Sequence, residues 1–331
     1  MSYFAYSFLH CYSPMLSYRH AFHAGNHADV LKHMVLIQLL RYLNQKDAPY
    51  MVIDTHAGAG VYSLDSEQAA KNAEFNTGLA RLWDRADLPE AVADYVGLVK
   101  AMNPSGKMRY YPGSPYCAEK VIREQDRLRL FELHPNEVKI LCENFEKLDA
   151  HAAAQGQRTP ARGKRVMVHR ADGFEGLKSL LPPPSRRGLV LIDPPYEVKQ
   201  DYRRVTDTLA DALRRFATGT YAVWYPVLQR PESRQLPEHL KRLPAKEWLN
   251  VTLSIGSPRP DGLGLRSSGM FVINPPWTLA PLLREVMPWL VDALGEDDGA
   301  RFSLETGAGA PATVAPKGRL PAGMTRHKPG R

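Results

Sequence analysis

The sequence predicts an α/β fold built on a largely parallel central sheet. Short apolar runs rich in β-branched residues alternate with amphipathic segments, as expected for strands that are joined by helices. Three of the runs end in an acidic residue, at Asp54, Glu132 and Asp193. Because open parallel sheets bind ligands at the carboxyl ends of their strands, these three loops form the predicted functional edge.

Composition narrows the class of protein. The 331 residues carry a formal net charge of +8, which favours a polyanionic partner such as a nucleic acid. The cysteines, Cys11, Cys117 and Cys142, lie far apart without CxxC spacing, which argues against a thiolate zinc site and for a reducing compartment. No apolar run approaches the length of a membrane span, and the N-terminus lacks the pattern of a secretory signal. We therefore expect a cytoplasmic protein.

The most informative loop is Asp193-Pro194-Pro195-Tyr196, which follows the apolar run of residues 188–192. Two successive prolines cannot continue a sheet ladder because neither has an N–H to donate, so the loop must be rigid and lie at a strand end. Its carboxylate and a proline carbonyl can accept the two hydrogens of an exocyclic amino group, and Tyr196 can stack on a planar base. The loop thus predicts catalytic residues for chemistry at the amino group of a nucleobase.

A glycine-rich turn follows the first predicted strand, with the sequence Asp54-Thr55-His56-Ala57-Gly58-Ala59-Gly60. Glycines allow a backbone to approach a ligand without a clash at Cβ. The pattern is not GxGxxG, so a dinucleotide pyrophosphate is not indicated, whereas S-adenosylmethionine, which carries no phosphate, suits this turn. Similar turns occur in many α/β proteins, and the motif alone does not identify the ligand.

Two further strand ends carry acids. Glu132 ends the second predicted strand, where α/β folds hold the ribose hydroxyls of a nucleoside. Asp172 follows the third strand and precedes Gly173. It either accepts the N6 hydrogens of a cofactor adenine or caps the next helix, and the sequence leaves both interpretations open.

The N-terminal region predicts a helix that Asn26 or Asp29 caps and that continues to about Leu43. Three histidines precede or begin it, namely His20, His23 and His27. Their spacing is compatible with a metal site, but the region has no HExxH motif and no cysteine partner, so we expect no metal. The alternative is a surface that faces a ligand or a phosphate, with Tyr18 and Lys32 at its edge.

The domain organisation is predicted from breaks in the strand–helix alternation. Residues 1–14 form an N-terminal extension and residues 15–305 one domain, in which residues 64–107 form an inserted helical subdomain. Residues 151–164 form a flexible basic loop, and the basic tail of residues 306–331 is rich in Ala, Gly and Pro, which indicates disorder.

A second loop, Asn274-Pro275-Pro276-Trp277, competes with the Asp193 loop because it has the same Pro-Pro-aromatic pattern. Order along the chain favours Asp193. In a doubly wound sheet the site loop follows the fourth strand, beside the first strand and its glycine turn, and Asp193 ends the fourth predicted strand whereas Asn274 ends the last.

Eight segments together resemble one known family: residues 16–33 (LSYRHAFHAGNHADVLKH), 54–60 (DTHAGAG), 110–115 (YYPGSP), 132–135 (ELHP), 171–174 (ADGF), 186–196 (RRGLVLIDPPY), 224–227 (WYPV) and 268–277 (SGMFVINPPW). They resemble the RlmJ family of 23S ribosomal RNA adenine-N6 methyltransferases. The resemblance covers about residues 15–305. It implies a Rossmann-like class I S-adenosylmethionine-dependent methyltransferase fold with a small inserted helical subdomain.

The resemblance also implies roles for particular residues. Cofactor contacts are implied at His33, His56, Ser114, Glu132, Asp172, Gly173 and Asp193, in addition to the glycines Gly58 and Gly60. Asp193 is implied to engage the target amine, while Tyr18 and Lys32 are implied to lie near the RNA substrate. We therefore expect a monomer that methylates protein-free or early-assembly 23S ribosomal RNA. The alternatives are a DNA adenine-N6 methyltransferase and a non-catalytic RNA-binding protein.

Overall fold

A computed structural model describes residues 20–66, 73–154, 165–259 and 264–310. The strands are β1 (Met51–Asp54), β2 (Val61–Ser63), β3 (Tyr110–Pro112), β4 (Arg127–Phe131), β5 (Val166–His169), β6 (Gly188–Ile192), β7 (Thr220–Pro226), β8 (Trp248–Ser254), β9 (Ser267–Ile273) and β10 (Arg301–Gly307). The helices are α1 (His27–Asn44), α2 (Ala80–Trp83), α3 (Glu90–Met102), α4 (Ser114–Val121), α5 (Pro135–Ala154), α6 (Gly173–Leu180), α7 (Lys199–Arg215), α8 (Pro231–Lys241) and α9 (Leu279–Leu294). Two 3-10 helices lie at His20–Phe22 and Glu74–Thr77. No helix in these ranges is both long and apolar enough to cross a membrane.

The central sheet has eight strands in the order β5-β4-β1-β6-β7-β9-β8-β10. The five strands from β5 to β7 are parallel, and β9, β8 and β10 are antiparallel to their neighbours. The chain leaves β1 towards β4 on one side and returns to β6 on the other. The carboxyl ends of β1 and β6 therefore flank the crevice at which such sheets bind ligands.

The four strands whose ends carry the predicted site residues are all present in the central sheet, and Asp193 follows the fourth of them in chain order, beside β1, as predicted. Three strands were not predicted. β2 and β3 are three residues each and form a separate antiparallel pair. β10 is an edge strand whose residues are half-buried or exposed, and it continues through Gly307, so the first two residues of the predicted tail belong to the sheet. The tail residues 311–331 lie outside the described residues, as do residues 155–164 of the predicted basic loop.

Helix α1 is buried on nearly all sides. Asn26 is its N-cap, and the Asn26 side chain accepts a hydrogen bond from the backbone N–H of Asp29 at 3.0 Å. The helix packs against β9, α3 and α4, and burial extends to polar residues that a single apolar face would leave outside, including Lys32 and His33. Buried charges require partners, so the fold must supply groups that satisfy Lys32.

Two hydrophobic layers cover the two faces of the sheet. One layer contains α6, α7 and α8. The other contains α1 and α9 together with α2 and α3 of the predicted insertion, whose residues Leu82, Val92 and Tyr95 share one cluster with Val30 of α1. The helical insertion is therefore packed into the core of the sheet, and its interior is continuous with the core around α1.

Candidate active site

A cavity of about 730 Å³ opens at the carboxyl edge of the parallel strands. Its walls come from the loops that follow β1, β4, β5 and β6 and from α1. A volume of this size suits a small organic ligand of the size of a nucleoside cofactor. The parallel strands thus bring loops that lie far apart in sequence to a single site.

Most of the sequence-predicted residues meet in this cavity. The residues that line it are Lys32, His33, His56, Gly58, Ser114, Glu132, Asp172, Gly173, Asp193, Pro194 and Pro195. Gly60 lies in the β1 turn without lining the cavity, and Tyr196 lies in the adjacent core. Tyr18 is outside the described residues.

Glu132 fixes two of the turns that form the cavity. Its Oε2 accepts the backbone N–H of Gly58 at 2.8 Å, and its Oε1 accepts the backbone N–H of His134 at 2.7 Å. Burial raises the pKa of Glu132, although these hydrogen bonds oppose the shift. Each carboxylate oxygen keeps a lone pair after these contacts, so Glu132 can still accept hydrogen bonds from a bound ligand.

The glycine turn after β1 needs glycine for its backbone shape. Gly58 and Gly60 have positive φ values of 58° and 75°, which disfavour residues with a side chain. A Cβ at Gly58 would also lie 2.3 Å from the hydroxyl oxygen of Tyr62. Gly58 lines the cavity, whereas a Cβ at Gly60 would lie 2.7 Å from the side chain of Leu141, so the close approach to a ligand that the sequence predicts for both glycines stays a prediction.

His33 is buried, His56 is half-buried, and both are neutral. Burial lowers the pKa of His33 to about 3 and that of His56 to about 4. One nitrogen of His33, Nδ1, lies 2.8 Å from the hydroxyl of Tyr111, whereas the buried Nε2 has no hydrogen-bond partner among the described residues. Because His33 also lines the cavity, this nitrogen is a candidate for a hydrogen bond to a ligand.

Asp172 caps helix α6, which is one of the two roles predicted for it. It also lines the cavity, where the second predicted role, accepting hydrogen bonds from a cofactor adenine, stays a prediction. Its Oδ1 accepts the backbone N–H of Phe174 at 2.9 Å, which caps α6, and its Oδ2 lies 2.5 Å from Nη2 of Arg204. Burial raises the pKa of Asp172, but the hydrogen bond and charge of Arg204 outweigh it, so the pKa is lowered. Asp172 is thus an ionised acceptor at the cavity wall.

Asp193 lies at the end of a chain of polar contacts that runs through Lys32 and Asp29 to His20. The ammonium of Lys32 is 2.7 Å from Asp193 Oδ2 and 3.0 Å from Asp29 Oδ1, and His20 Nε2 is 2.9 Å from Asp29 Oδ2. Lys32 is only 5% exposed, so it does not meet the expectation of a cation that faces a phosphate in solvent. Its position instead orients the Asp193 carboxylate.

Tyr196 differs from its predicted role. Its ring is 2% exposed, its hydroxyl donates to the carbonyl of Trp224 at 2.7 Å, and it packs against Tyr202 with ring centroids 4.7 Å apart. The ring is directed into the core because Tyr196 has a left-handed backbone with φ of 52°. Stacking of Tyr196 on a base, which the sequence predicts, is not available in this conformation.

The competing loop at Asn274 lies at the opposite edge of the sheet. β9 is antiparallel to β7, so Ile273 pairs with Tyr221 near the beginning of β7. The Asn274 side chain donates to the carbonyls of Ala217 and Gly219 at 2.9 and 2.7 Å. This loop therefore anchors the turn before β7, far from the cavity, and the preference for Asp193 agrees with the topology.

Sequence analysis did not assign three further residues to the site. Asp54 is 2% exposed, and its Oδ2 accepts the Ser114 hydroxyl at 2.7 Å. Its signal was present, because it opens the glycine-turn motif. Asp29 lies one turn before Lys32, which is the spacing of a helical ion pair. Arg204 had no local signal, since only the packing of α7 against α6 brings it to the cavity.

The sheet order with an antiparallel β9 between β7 and β8, and the glycine turn beside Asp193-Pro194-Pro195-Tyr196, define a Rossmann-like class I methyltransferase. A family described as "Ribosomal RNA large subunit methyltransferase D, RlmJ" matches residues 47–304. The chain belongs to this RlmJ family.

Individual relatives agree with this assignment. The chain is 47% identical over 276 residues to "Ribosomal RNA large subunit methyltransferase J" of Escherichia coli, which covers 83% of this chain and 93% of the relative. It is 44% identical over 292 residues to the protein of the same name from Haemophilus influenzae, covering 88% and 98%. A crystal structure of a Legionella pneumophila protein has a TM-score of 0.75 at 35% identity and covers 86% of this chain and 98% of that one.

Proposed function

We propose that this protein transfers a methyl group from S-adenosylmethionine to the N6 amino group of an adenine in 23S ribosomal RNA. The observation that carries the proposal is the position of Asp193, which shares one cavity with the turns that Glu132 holds together. The names of the relatives, which are ribosomal RNA large subunit methyltransferases, support the RNA substrate.

The cavity residues fit the proposed cofactor. Glu132 would hold the ribose hydroxyls, and Asp172 with the backbone of Gly173 would hold the adenine edge. His33, with its unpartnered Nε2, and Ser114 would hold the amino-acid end, beside the glycine turn. The bound cofactor supplies an electrophilic methyl group on a sulfonium centre.

Asp193 is proposed to engage the target amine. An adenine N6 is a weak nucleophile because its lone pair is delocalised into the ring. Lys32 engages Oδ2 of Asp193, which leaves Oδ1 and the carbonyl of Pro194 to accept the two amine hydrogens. These hydrogen bonds favour a more tetrahedral nitrogen whose lone pair is directed at the methyl group. The base must leave its stack to reach this position, and its orientation there supplies much of the rate.

The first test of this function is the loss of Asp193. We expect Asp193→Ala to lower methylation of 23S ribosomal RNA by a factor on the order of 10²–10³, because one well-placed acceptor at the reacting group is removed. Transfer of tritium from labelled cofactor measures the rate, and calorimetry should show that cofactor binding is largely kept. Near-normal turnover in this variant would exclude Asp193 from the reaction.

The substrate is tested separately with the unmodified protein. We expect methylation of protein-free 23S ribosomal RNA at one adenine and little methylation of duplex DNA of the same length. Mass mapping of the RNA identifies the methylated nucleotide. We also infer that the protein acts as a monomer, and that the reaction takes place in the cytoplasm, where ribosomal RNA is assembled. Preferred methylation of DNA would contradict the proposed substrate.

A further inference from the structure

Arg230 connects the loop of Asp193, which lines the cavity, with the loop that follows β7. β6 and β7 are parallel neighbours, with Ile192 opposite Val223, so the loops that follow them lie side by side. Arg230, which caps the beginning of α8, donates from Nη1 to the carbonyl of Tyr196 at 3.4 Å. The guanidinium therefore contacts the last residue of the catalytic loop from the neighbouring strand end.

Arg230 differs in its ion pairing from the cations of the neighbouring helix α7. Three cations of α7 form ion pairs: Lys199 with Glu232 at 2.8 Å, Arg203 with Asp207 at 3.4 Å and Arg204 with Asp172 at 2.5 Å. Arg230 is exposed, and in the described part of the chain no carboxylate lies at ion-pair distance from it. The nearby Glu232 carboxylate forms its ion pair with Lys199, and its interaction with Arg230 is electrostatic at longer range.

A guanidinium in this position suits a phosphate. It has five N–H donors in a rigid plane, and one bond to a carbonyl leaves a pair of donors for a bidentate contact with phosphate oxygens. An adenine that enters the cavity must leave its phosphates outside, at the rim. The acids Glu197 and Asp201 line the same rim and would repel a phosphate, which leaves the side of Arg230 as the favoured route for the backbone.

We propose that Arg230 binds a backbone phosphate of the target RNA strand while it holds the carbonyl of Tyr196. The inference rests on the proposed function, since it requires an RNA whose adenine enters this cavity. A single side chain would then couple RNA binding to the position of the catalytic loop. Arg230 is thus a positioning residue for Asp193 as well as a contact for the substrate.

The test compares Arg230→Gln with a matched control, Arg242→Gln, which makes the same charge change at the other end of α8. Binding of protein-free 23S ribosomal RNA is measured over a series of salt concentrations. We expect Arg230→Gln to weaken RNA binding about fivefold or more and to reduce the salt slope by about one unit, because one phosphate contact is lost. Arg242→Gln should change neither quantity by as much, and both variants should keep the parent's cofactor affinity.

Arg230→Lys separates the two roles. A lysine keeps the charge but is a point donor, so RNA binding and its salt slope should stay close to the parent while kcat falls, because the Tyr196 carbonyl is no longer held. A salt slope that is unchanged in Arg230→Gln, or a parallel loss of cofactor binding and thermal stability, would overturn the inference. If the parent protein itself neither binds nor methylates the RNA, the proposed function fails instead.

Discussion

Lys32 lies between the buried carboxylate of Asp29 and the half-buried carboxylate of Asp193, at distances of 3.0 and 2.7 Å. Replacement by methionine keeps much of the volume and removes the only charge that links them in this arrangement. We expect Lys32→Met to lower the free energy of unfolding by about 3–5 kcal/mol, because breaking a buried ion pair from one side leaves uncompensated charge. Chemical denaturation monitored by circular dichroism measures the change.

The control for this variant is Lys246→Met, which removes an equally charged side chain that is 87% exposed. Its expected effect is below about 1 kcal/mol, as is usual for an exposed pair. A Lys32→Met protein as stable as the control would mean that Asp29 and Asp193 do not depend on the ammonium. The comparison therefore tests the electrostatic arrangement independently of any assay of activity.

Asp54 makes the free energy of unfolding depend on pH. Burial, assisted by the negative charge of Asp193, raises the pKa of Asp54 to about 6, although hydrogen bonds from Ser114 and from the backbone of His56 oppose the shift. In an unfolded chain the pKa is about 3.9. The folded state therefore binds this proton more tightly, and the stabilisation is present at pH values below about 4 and is lost as the pH rises through about 6.

The measurement is the free energy of unfolding of the parent and of Asp54→Asn between pH 4 and 8. Asparagine is neutral throughout, so the parent should lose about 3 kcal/mol relative to the variant over this range. Both proteins share all other titrating groups, which cancel in the difference. A difference that does not vary with pH would show that Asp54 stays ionised in the folded protein.

For single residues, the sequence predicts which of them lie at the ligand site better than it predicts the groups that surround them. Asp193 and Glu132 were identified because strand ends face the ligand site, a rule that needs only the local pattern. The contact between Lys32 and Asp193 joins residues 161 positions apart, and the burial of the Tyr196 ring depends on Tyr202 and Trp224 around it. Such contacts are set by tertiary packing, which local pattern does not contain.

Gly173 allows helix α6 to lie close to the turn that follows β1. A Cβ at Gly173 would lie 2.0 Å from the carbonyl oxygen of Thr55, so Gly173→Ala must move the helix away from the turn. We expect this variant to lose about 1–3 kcal/mol of stability through overpacking. We also expect weaker cofactor binding, because Asp172 would move with the helix. Thermal unfolding and calorimetric titration measure the two effects.

Gly97→Ala is the matched control, since a Cβ at this position of α3 would meet no described residue within 4 Å outside its own stretch of helix backbone. The same change of residue should there raise stability by roughly 0.5–1 kcal/mol, because alanine is a better helix former than glycine. Equal effects of the two substitutions would contradict the close approach of α6. The pair separates helix propensity from the geometry of the site.

Elements were predicted from sequence where burial is strong and regular. The core strands β1 and β6 are buried at every residue and read as continuous apolar runs. β10 alternates between half-buried and exposed residues, and β2 has one buried residue among three, so neither has a clear apolar pattern. Helix α7 begins at Lys199, in a segment rich in charge, because Tyr202 and Val205 bury one of its faces.

The molecule as a whole is expected to unfold in one step over its described part. The insertion shares its hydrophobic cluster with α1, α9 and the sheet, so α2 and α3 have no separate interior to retain. Circular dichroism and the fluorescence of Trp83, which lies in α2, should therefore report coincident denaturant transitions. A Trp83 signal that changes at lower denaturant than the sheet would show that the insertion is an independent folding unit.

The position of α1 also affects how the protein is made. Translation produces α1 before β9 and α9, against which it packs and which are synthesised more than 200 residues later. A growing chain therefore exposes the apolar surface of α1 until β9 has entered the sheet between β7 and β8. A product of premature termination before β9 would lack the strand that covers this surface and is expected to be inactive. Nascent chains would thus be unable to methylate RNA before their synthesis is nearly complete.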